Sequence, residues 1–230
     1  MIDIQGLNKS FKNKKVLTDI NCQIQPGEIT GLIGHNGAGK STLINCLAGL
    51  IPYQGEITVN QVPIEKSKGR IVHVNDSLNL PFSMTIKECK DFMQHFYPNW
   101  NQKRAIEIQK FFELDNQTKI KELSKGNQAK LNLMLGLSID ADYLILDEPF
   151  AAIDVFSREK TLELFGHFIQ EQCGVLVSTH ELYDVEVFID RALMMENGKI
   201  IRSEYLEDLR ASTGQSLVEW VREEIHSCKI

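Results

Sequence analysis

The stretch Gly34-His-Asn-Gly-Ala-Gly-Lys40-Ser41-Thr42 follows an apolar segment at 29–33 and precedes a helix-like segment at 43–48. A strand, the pattern GxxxxGK[ST] and a helix, in this order, are typical of a phosphate-binding loop. Its glycines let backbone N–H groups surround a polyphosphate, and the helix N-terminus adds partial positive charge. Lys40 is placed to reach the β- and γ-phosphates, and the Ser41 hydroxyl to hold Mg²⁺. The stretch therefore predicts a nucleotide site.

The composition is that of an acidic globular chain. A formal net charge of −6 over 230 residues argues against a nucleic-acid partner, because such proteins usually carry a basic excess. We expect no signal peptide at the N-terminus and no transmembrane segment, since the longest nearly apolar run, 131–139, is too short. Five dispersed cysteines without a CxxC pattern predict reduced thiols: Cys22, Cys46, Cys89, Cys173 and Cys228.

Short apolar segments predict strands on both sides of the loop, and a helical region interrupts them. The strand segments are 2–7 and 16–24, a hairpin-like start, then 29–33, 55–59, 70–74, 143–146, 175–178 and the pair 192–195 and 199–201 around the turn Asn197-Gly198.

The interrupting region, about 78–138, carries helical spacing. Thr85 and Glu88 form a capping-box pattern before apolar residues at 86, 89, 92, 93 and 96, and Pro98 ends that helix. A second amphipathic helix is predicted over 101–114, with one buried face composed of Ala105, Ile108, Phe111 and Phe112. Both predictions describe helices inserted into an α/β pattern.

Polar residues end several predicted strands. Asp147 and Glu148 follow the apolar segment Leu144–Leu146, at the edge where parallel sheets place ligands. Asp147 suits a water-mediated Mg²⁺ contact and Glu148 suits activation of a water. The alternative is a plain turn that ends a strand.

Two further polar segments have both a structural and a functional interpretation. Ser124 and Gly126 precede a helix-like run and form either a second phosphate-binding helix terminus or a simple N-cap. His180 follows the strand at 175–178, where it either hydrogen-bonds a γ-phosphate or has a structural role.

Together these segments resemble the ATP-binding cassette (ABC) transporter ATPase family over essentially the whole chain. The resemblance implies an α/β fold: a P-loop NTPase core, with a mixed sheet flanked by helices, an N-terminal antiparallel β subdomain and the helical insertion at 78–138, all in one domain, 1–230. It implies ATP and Mg²⁺ as cofactors. Similarity of 96–100, 123–127 and 216–220 to ABC-2-type drug and peptide exporter cassettes favours export.

The family's functional residues fall on positions of this chain that match its motifs. Glu148 is the implied catalytic base and His180 the switch histidine, while Ser41, Asp76 and Asp147 are the implied metal ligands. Phe11 stands at the place of the aromatic residue that stacks on adenine, with a core position as its alternative. The implied nucleotide contacts are Phe11, Gly34, His35, Asn36, Gly37, Ala38, Gly39, Lys40, Ser41, Thr42, Ser124, Gly126 and Asp154.

Two positions depart from the family pattern. Asp76 stands where the family has a glutamine that touches Mg²⁺ and senses the membrane subunit, and Asn75 is the other candidate. The signature reads Leu-Ser-Lys-Gly-Asn over 123–127 instead of LSGGQ, so Lys125 replaces a glycine and brings positive charge near the γ-phosphate of an opposite subunit.

The resemblance implies two protein partners. A second ATPase cassette, identical or different, would close over the ATP bound to this chain, and a polytopic membrane subunit would hold the pair at the inner face of the cell membrane, so that the chain is cytoplasmic and peripheral. Phe92, Phe96, Tyr97 and Trp100 are candidates for the membrane-subunit contact, although we expect at least half of them to pack internally. The alternatives are a soluble ABC ATPase unrelated to transport and a weakly hydrolysing regulatory cassette.

Overall fold

The computed structural model describes residues 1–67, 69–154, 158, 161–162, 165–167, 169 and 172–227. Contacts divide the chain into two compact units, Met1–Lys68 with Gly174–Ile230, and Gly69–Cys173. In chain order the elements are β1 (Ile2–Phe11), β2 (Lys14–Ile24), β3 (Ile29–Ile33), α1 (Lys40–Leu47), β4 (Gln54–Val59), β5 (Val62–Pro63), β6 (Ile71–Val74), α2 (Ile86–Phe96), α3 (Gln102–Phe111), α4 (Lys125–Leu137), β7 (Tyr143–Asp147), β8 (Gly174–Thr179), α5 (Leu182–Val185), β9 (Arg191–Glu196), β10 (Lys199–Tyr205), α6 (Leu206–Thr213) and α7 (Leu217–Ser227).

The first unit contains an antiparallel sheet in the order β2-β1-β4-β5. The predicted hairpin-like start is confirmed, and its strands are longer than the apolar segments because they continue to a tight turn with Lys12 at a φ of +52°. Ile2 and Ile4 of β1 alternate toward the interior, and a register shift between Ile4 and Leu7 buries Leu7 as well.

The same unit contains the mixed sheet that carries the phosphate loop. Strand β3 pairs in parallel with β8 on one side and β9 on the other, and β9 pairs antiparallel with β10. Strand β8 is buried along its whole length, as expected of a central parallel strand. The turn between β9 and β10 has positive φ at both Asn197 (+46°) and Gly198 (+77°), which confirms the predicted hairpin.

The second unit combines the parallel pair β6 and β7 with helices α2, α3 and α4. The capping box is confirmed, since the Glu88 amide donates to Thr85 Oγ1 and the Thr85 amide donates to Glu88 Oε2. Helix α4 lies close against β6, because a Cβ at Gly136 would collide with the Val74 side chain. The mixed sheet, the antiparallel sheet and the helical segments confirm the predicted fold class.

One predicted helix face is wrong in part. Phe111 is 41% exposed, whereas Gln109 is buried. The buried stripe of α3 runs through Ala105, Ile108, Gln109 and the cap residue Phe112, which follow the i, i+3, i+4, i+7 spacing of one helix face. Phe111 lies one residue off this stripe and therefore points away from it.

The four cysteines that the structure describes form no disulfide, in agreement with the predicted reduced thiols, and Cys228 lies outside the described residues. Burial raises the pKa of Cys22 to about 12 and the pKa of Cys46, Cys89 and Cys173 to about 11, so these thiols are poor nucleophiles. Within the described ranges, none of the helices has the length and apolar character needed to cross a membrane.

Candidate functional site

The phosphate loop connects the buried strand β3 to helix α1. Gly37 and Gly39 have φ values of +86° and +113°, a region that side-chain-bearing residues avoid, so the turn depends on glycine at these positions. The Ala38 amide donates to the His35 carbonyl at 3.1 Å, which closes the loop on itself. His35, Asn36 and Gly37 are exposed at its tip.

Lys40 begins α1 and is almost completely buried, with 6% of its surface exposed. Its Nζ donates to the Gly34 carbonyl at 2.7 Å and lies 3.5 Å from the His35 carbonyl. Two neutral carbonyl oxygens are thus among the groups that hold the ammonium group under the loop. Phosphate oxygens carry full charge and form stronger hydrogen bonds to an ammonium group, so they would compete well for it.

The hairpin formed by β9 and β10 supports the loop from behind. The Gly198 amide donates to the Ala38 carbonyl at 2.9 Å, and the Thr18 amide of β2 donates to the Gly198 carbonyl at 2.8 Å. A Cβ at Gly34 would collide with the Met195 carbonyl, and a Cβ at Gly39 would lie 2.8 Å from Met195 Cε. Sequence reasoning identified the Asn197-Gly198 turn but gave no sign that it contacts the loop.

Phe11 occupies an exposed position at the end of β1. Its ring is 48% exposed, and Lys9 Nζ lies 4.8 Å from the ring centroid. The core alternative for Phe11 is therefore wrong. An exposed ring with a cation on one face leaves an aromatic surface that a base can stack on.

His180 follows β8 and is exposed, as the predicted position after a strand requires. Its Nε2 lies 3.9 Å from Glu181 Oε1. The Glu181 amide donates to Thr179 Oγ1 at 2.9 Å, which fixes the turn that presents the imidazole.

Asp147 and Glu148 differ sharply in environment although they are adjacent. Asp147 ends β7 and is 7% exposed, whereas Glu148 is half-buried with a φ of +47°. Positive φ in a residue with a long side chain is strained, and such strain collects at functional sites. The Ala151 amide donates to the Glu148 carbonyl at 3.2 Å and holds this turn. The two carboxylates therefore differ in burial and in the backbone conformation that carries them.

A histidine that sequence reasoning missed, His73, lies within the electrostatic influence of Asp147 and Asp76. Burial lowers the pKa of His73, and the negative charges of Asp147 and Asp76 act in the opposite direction. Its Nε2 is buried without a hydrogen-bond partner among the described residues. His73 lies on β6 and pairs in register with Ile145 of β7. Because the two strands run parallel, Asp76 after β6 and Asp147 at the end of β7 lie at the same edge of the pair.

The end of β6 is fixed by a second residue that the sequence did not single out. Asn132 Nδ2 of α4 donates to the Asn75 carbonyl at 2.7 Å. Asn75 is half-buried and Asp76 is exposed. The sequence did contain a signal for Asn132: it is a polar residue inside the nearly apolar run 131–139, which is typical of a side chain that reaches a backbone group.

Ser124 caps α4, as predicted. The Asn127 amide donates to Ser124 Oγ at 3.2 Å, and Lys125, the first residue of the helix, is exposed. A Cβ at Gly126 would lie 3.1 Å from the Ala152 carbonyl, so glycine allows the segment 123–127 to approach the segment 151–154. Asp154 is exposed at the end of that segment.

The oxygen-bearing candidates suit a hard cation bound mainly through phosphates. Among the residues that the structure describes, no group of three or more His, Cys, Asp or Glu side chains is arranged to hold a metal ion by itself. Mg²⁺ is usually held by one or two protein oxygens together with substrate phosphates, and a hydroxyl such as that of Ser41 or a carboxylate such as that of Asp147 is a suitable oxygen ligand by its chemistry.

Comparison with known proteins defines the family. The ABC transporter family profile matches residues 17–151. An uncharacterized ABC transporter ATP-binding protein of Methanocaldococcus jannaschii is 35% identical to the chain, and the match covers 90% of the chain and 79% of that relative. Further relatives carry the names of both import and export systems.

Solved structures agree with this result. A solved ATP-binding subunit of an ABC transporter superposes with a TM-score of 0.88 at 25% identity, and the match covers 97% of this chain and 98% of that chain. A dimeric cassette in a post-hydrolysis state, bound to ADP and Pi, has a TM-score of 0.79 at 25% identity, covering 90% of this chain and 99% of its own.

The chain therefore belongs to the ABC transporter family. It is an ATP-binding subunit of the type that this family uses and an ATPase.

Proposed function

We propose that this chain hydrolyses ATP with Mg²⁺ and dimerises on ATP with a second cassette to drive transport, in the export direction, through a separate polytopic membrane subunit. The observation that carries the proposal is the phosphate loop, in which Lys40 Nζ lies 2.7 Å from the Gly34 carbonyl below a turn built on Gly37 and Gly39. The chain acts as one functional cassette over residues 1–230, with 78–138 as its helical subdomain.

Each group of site residues has its own role in binding and hydrolysing ATP. The phosphate loop binds the β- and γ-phosphates through backbone amides and Lys40, and Phe11 stacks on the adenine. Glu148 orients and deprotonates the attacking water, and His180 hydrogen-bonds the γ-phosphate. Ser41, Asp147 and Asp76 hold Mg²⁺, which when bound neutralises charge that develops on the phosphates.

A second cassette completes the site. Ser124, Gly126 and Asp154 of one chain face the ATP bound to another chain, and Lys125 adds a positive charge to that contact. Ser124 and Lys125 stand at the exposed first turn of α4, where the helix dipole also favours an anion. Because phosphate contacts then come from both chains, hydrolysis removes them and opens the dimer.

The outer surface of α2 supports the membrane-subunit partner. Phe92, Phe96 and Tyr97 are 38%, 61% and 39% exposed, and the rings of Phe92 and Phe96 lie 4.6 Å apart. The expectation that at least half of the four aromatics pack internally is therefore wrong, since only Trp100 is half-buried. Exposed aromatic clusters mark interaction sites. On this proposal the chain is cytoplasmic and peripheral to the inner face of the membrane.

Export is proposed from the similarity of three short segments to exporter cassettes. All three also have structural roles in this chain, since Ser124 of the segment 123–127 caps α4. Tyr97 caps the end of α2, and Trp220 is buried on α7. Ser216 and Glu219 cap the N-terminus of α7 through reciprocal hydrogen bonds between the amide of each residue and the side chain of the other. Recovery of the membrane subunit together with its substrate would decide the direction.

Steady-state ATPase activity tests the enzymatic part of the proposal. We expect Glu148→Gln to lower the rate about a hundredfold or more, the usual scale of general acid–base catalysis, while Glu107→Gln, at an exposed position of α3, retains most of it. An unchanged rate in Glu148→Gln would mean that Glu148 is not the base. A wild type without measurable hydrolysis would favour the alternative of a weakly hydrolysing regulatory cassette.

A further inference from the structure

Lys90 of helix α2 is a buried charged side chain. It is 6% exposed, and its Nζ donates a hydrogen bond to Gln109 Oε1 of α3. Within the described ranges, no carboxylate oxygen lies within 4.0 Å of Nζ. A buried ammonium group that forms no ion pair is energetically costly, and the nearby charge of Asp91 offsets only part of this cost. The helical unit therefore maintains a costly feature outside the nucleotide site.

The hydrogen bonds around Gln109 leave donors on Lys90 unused. Gln109 Nε2 donates to the Leu114 carbonyl at 2.7 Å and to Asn116 Oδ1 at 3.1 Å, which orients the amide so that its oxygen faces Lys90. An ammonium group has three N–H donors, and Gln109 occupies one of them. Burial lowers the pKa of Lys90, which is the electrostatic consequence of this environment.

Lys90 lines an open cavity between α2 and α3. The cavity has a volume of about 590 Å³, within the range of small-molecule sites, and Lys87 and Lys110 also line it. Asp91 and Glu113 supply the opposing charges, so one formal positive charge is left over. None of these three lysines has a carboxylate within 4.0 Å among the described residues.

Apolar surface lies beside these charged groups. Ile106 of α3 is 50% exposed and lines the cavity. Leu114, in the loop that follows α3, also lines it. A ligand that complements the cavity therefore needs a single negative charge and a short apolar body.

We propose that this cavity binds a small monocarboxylate, whose oxygens accept hydrogen bonds from Lys90 Nζ and whose apolar body lies along Ile106. A monoanion neutralises the residual charge, whereas a multiply charged phosphate would bring more charge than the lining balances. The proposal is independent of the nucleotide site, because all the groups involved belong to α2, α3 and the loop that follows α3.

Hexanoate is a suitable probe, with hexanamide as the uncharged molecule of the same shape. The full chain is titrated with each and followed by proton–nitrogen correlation spectra, including the side-chain amide of Gln109. We expect saturable shifts around Lys90 and Gln109 with hexanoate, and about tenfold weaker binding of hexanamide. Absence of saturable binding of hexanoate, or equal binding of hexanamide, would overturn the proposal.

Substitutions locate the site. Lys90→Met keeps the volume but removes the charge, and we expect about tenfold weaker binding of hexanoate. If that variant does not fold, the exposed Lys110→Gln provides the test, with Lys103→Gln as its control on the same helix outside the cavity. Lys110→Gln should weaken binding several-fold and Lys103→Gln should not. Equal effects of these two would contradict the assignment.

Discussion

The amide of Gly198 donates a hydrogen bond to the carbonyl of Ala38 at 2.9 Å, and so connects the turn between β9 and β10 to the phosphate loop. The carbonyl of the same glycine accepts from the Thr18 amide at 2.8 Å. Gly198 thus lies between β2 and the loop, with a φ of +77° and no room for a Cβ beside the Val16 carbonyl. The position of the phosphate loop depends on this turn.

Gly198→Ala should therefore lower the affinity for ATP, although Gly198 belongs to the supporting turn and not to the phosphate loop itself. The new Cβ must displace either the turn or β2, and the positive φ adds strain, so we expect a loss of about 2 kcal/mol in the free energy of unfolding. ATP affinity, measured by isothermal titration calorimetry, should fall about tenfold as Ala38 moves.

Gly214→Ala is the matched control for that variant. Gly214 has a similar φ of +70°, yet nothing lies within 4 Å of its Cβ position. It should lose some stability from strain and keep its ATP affinity. Equal losses of affinity in both variants would show that the contact between Gly198 and the loop is unimportant.

Lys40→Ala should remove most of the ATP affinity. Charge-assisted hydrogen bonds contribute about 1.5–3 kcal/mol each, so we expect the dissociation constant for ATP to rise about 10- to 100-fold. Lys103→Ala on α3 carries the same change of charge away from the loop and should bind ATP normally. Unaltered binding of ATP by Lys40→Ala would exclude this lysine from the site.

Local chemistry made much of the fold predictable. The Asn197-Gly198 turn, the Thr85 cap and the strand that precedes the phosphate loop depend on residues within a few positions of each other, and each was found where the sequence placed it. The predicted burial of Phe111 was wrong because one residue further along a helix turns the side chain by about 100°. Two adjacent phenylalanines do not reveal by their residue type which of them faces the interior.

The unpredicted parts of the site depend on contacts between distant segments. Gly198 lies 160 residues after Ala38, and Asn132 lies 57 residues after Asn75. His73 looked like an ordinary strand residue, and only the fold places it near Asp147. The sequence motifs identified residues with direct chemical roles, whereas supporting residues such as these carry no local pattern.

Thr85→Ala should destabilise the helical unit. The variant loses both partners of the Thr85 hydroxyl and leaves an N-terminal amide of α2 without its acceptor, which costs about 1 kcal/mol and lowers Tm by about 2–4 °C. Ser83→Ala, in the exposed segment just before it, should leave Tm unchanged. Calorimetric unfolding measures both.

The effect of this cap should depend on pH. Hydrogen bonds donated by the Thr85 amide and hydroxyl hold the pKa of Glu88 below its usual value. A carboxylate with a lowered pKa in the folded state stabilises the fold above its unfolded pKa, and this contribution disappears as pH falls through the folded pKa. The difference in Tm between wild type and Thr85→Ala should therefore shrink in acid; a constant difference would contradict this origin.

Phe96→Ser should weaken the membrane-subunit contact while sparing the fold. Phe96 is 61% exposed, so its removal should leave Tm and ATP affinity unchanged and reduce recovery of the chain with its membrane partner. Phe111→Ser removes a 41% exposed ring from the end of α3 and serves as the control. Full recovery of Phe96→Ser with the partner would place the docking surface elsewhere.

In the proposed mechanism, ATP closes two cassettes over a site in which Glu148 activates water. Sedimentation equilibrium of Glu148→Gln measures this closure, because a chain that binds ATP without hydrolysing it should accumulate the closed form. We expect a dimer with ATP and Mg²⁺, and a monomer with ADP. A Glu148→Gln chain that stays monomeric at saturating ATP while hydrolysing it at the wild-type rate would be incompatible with this mechanism.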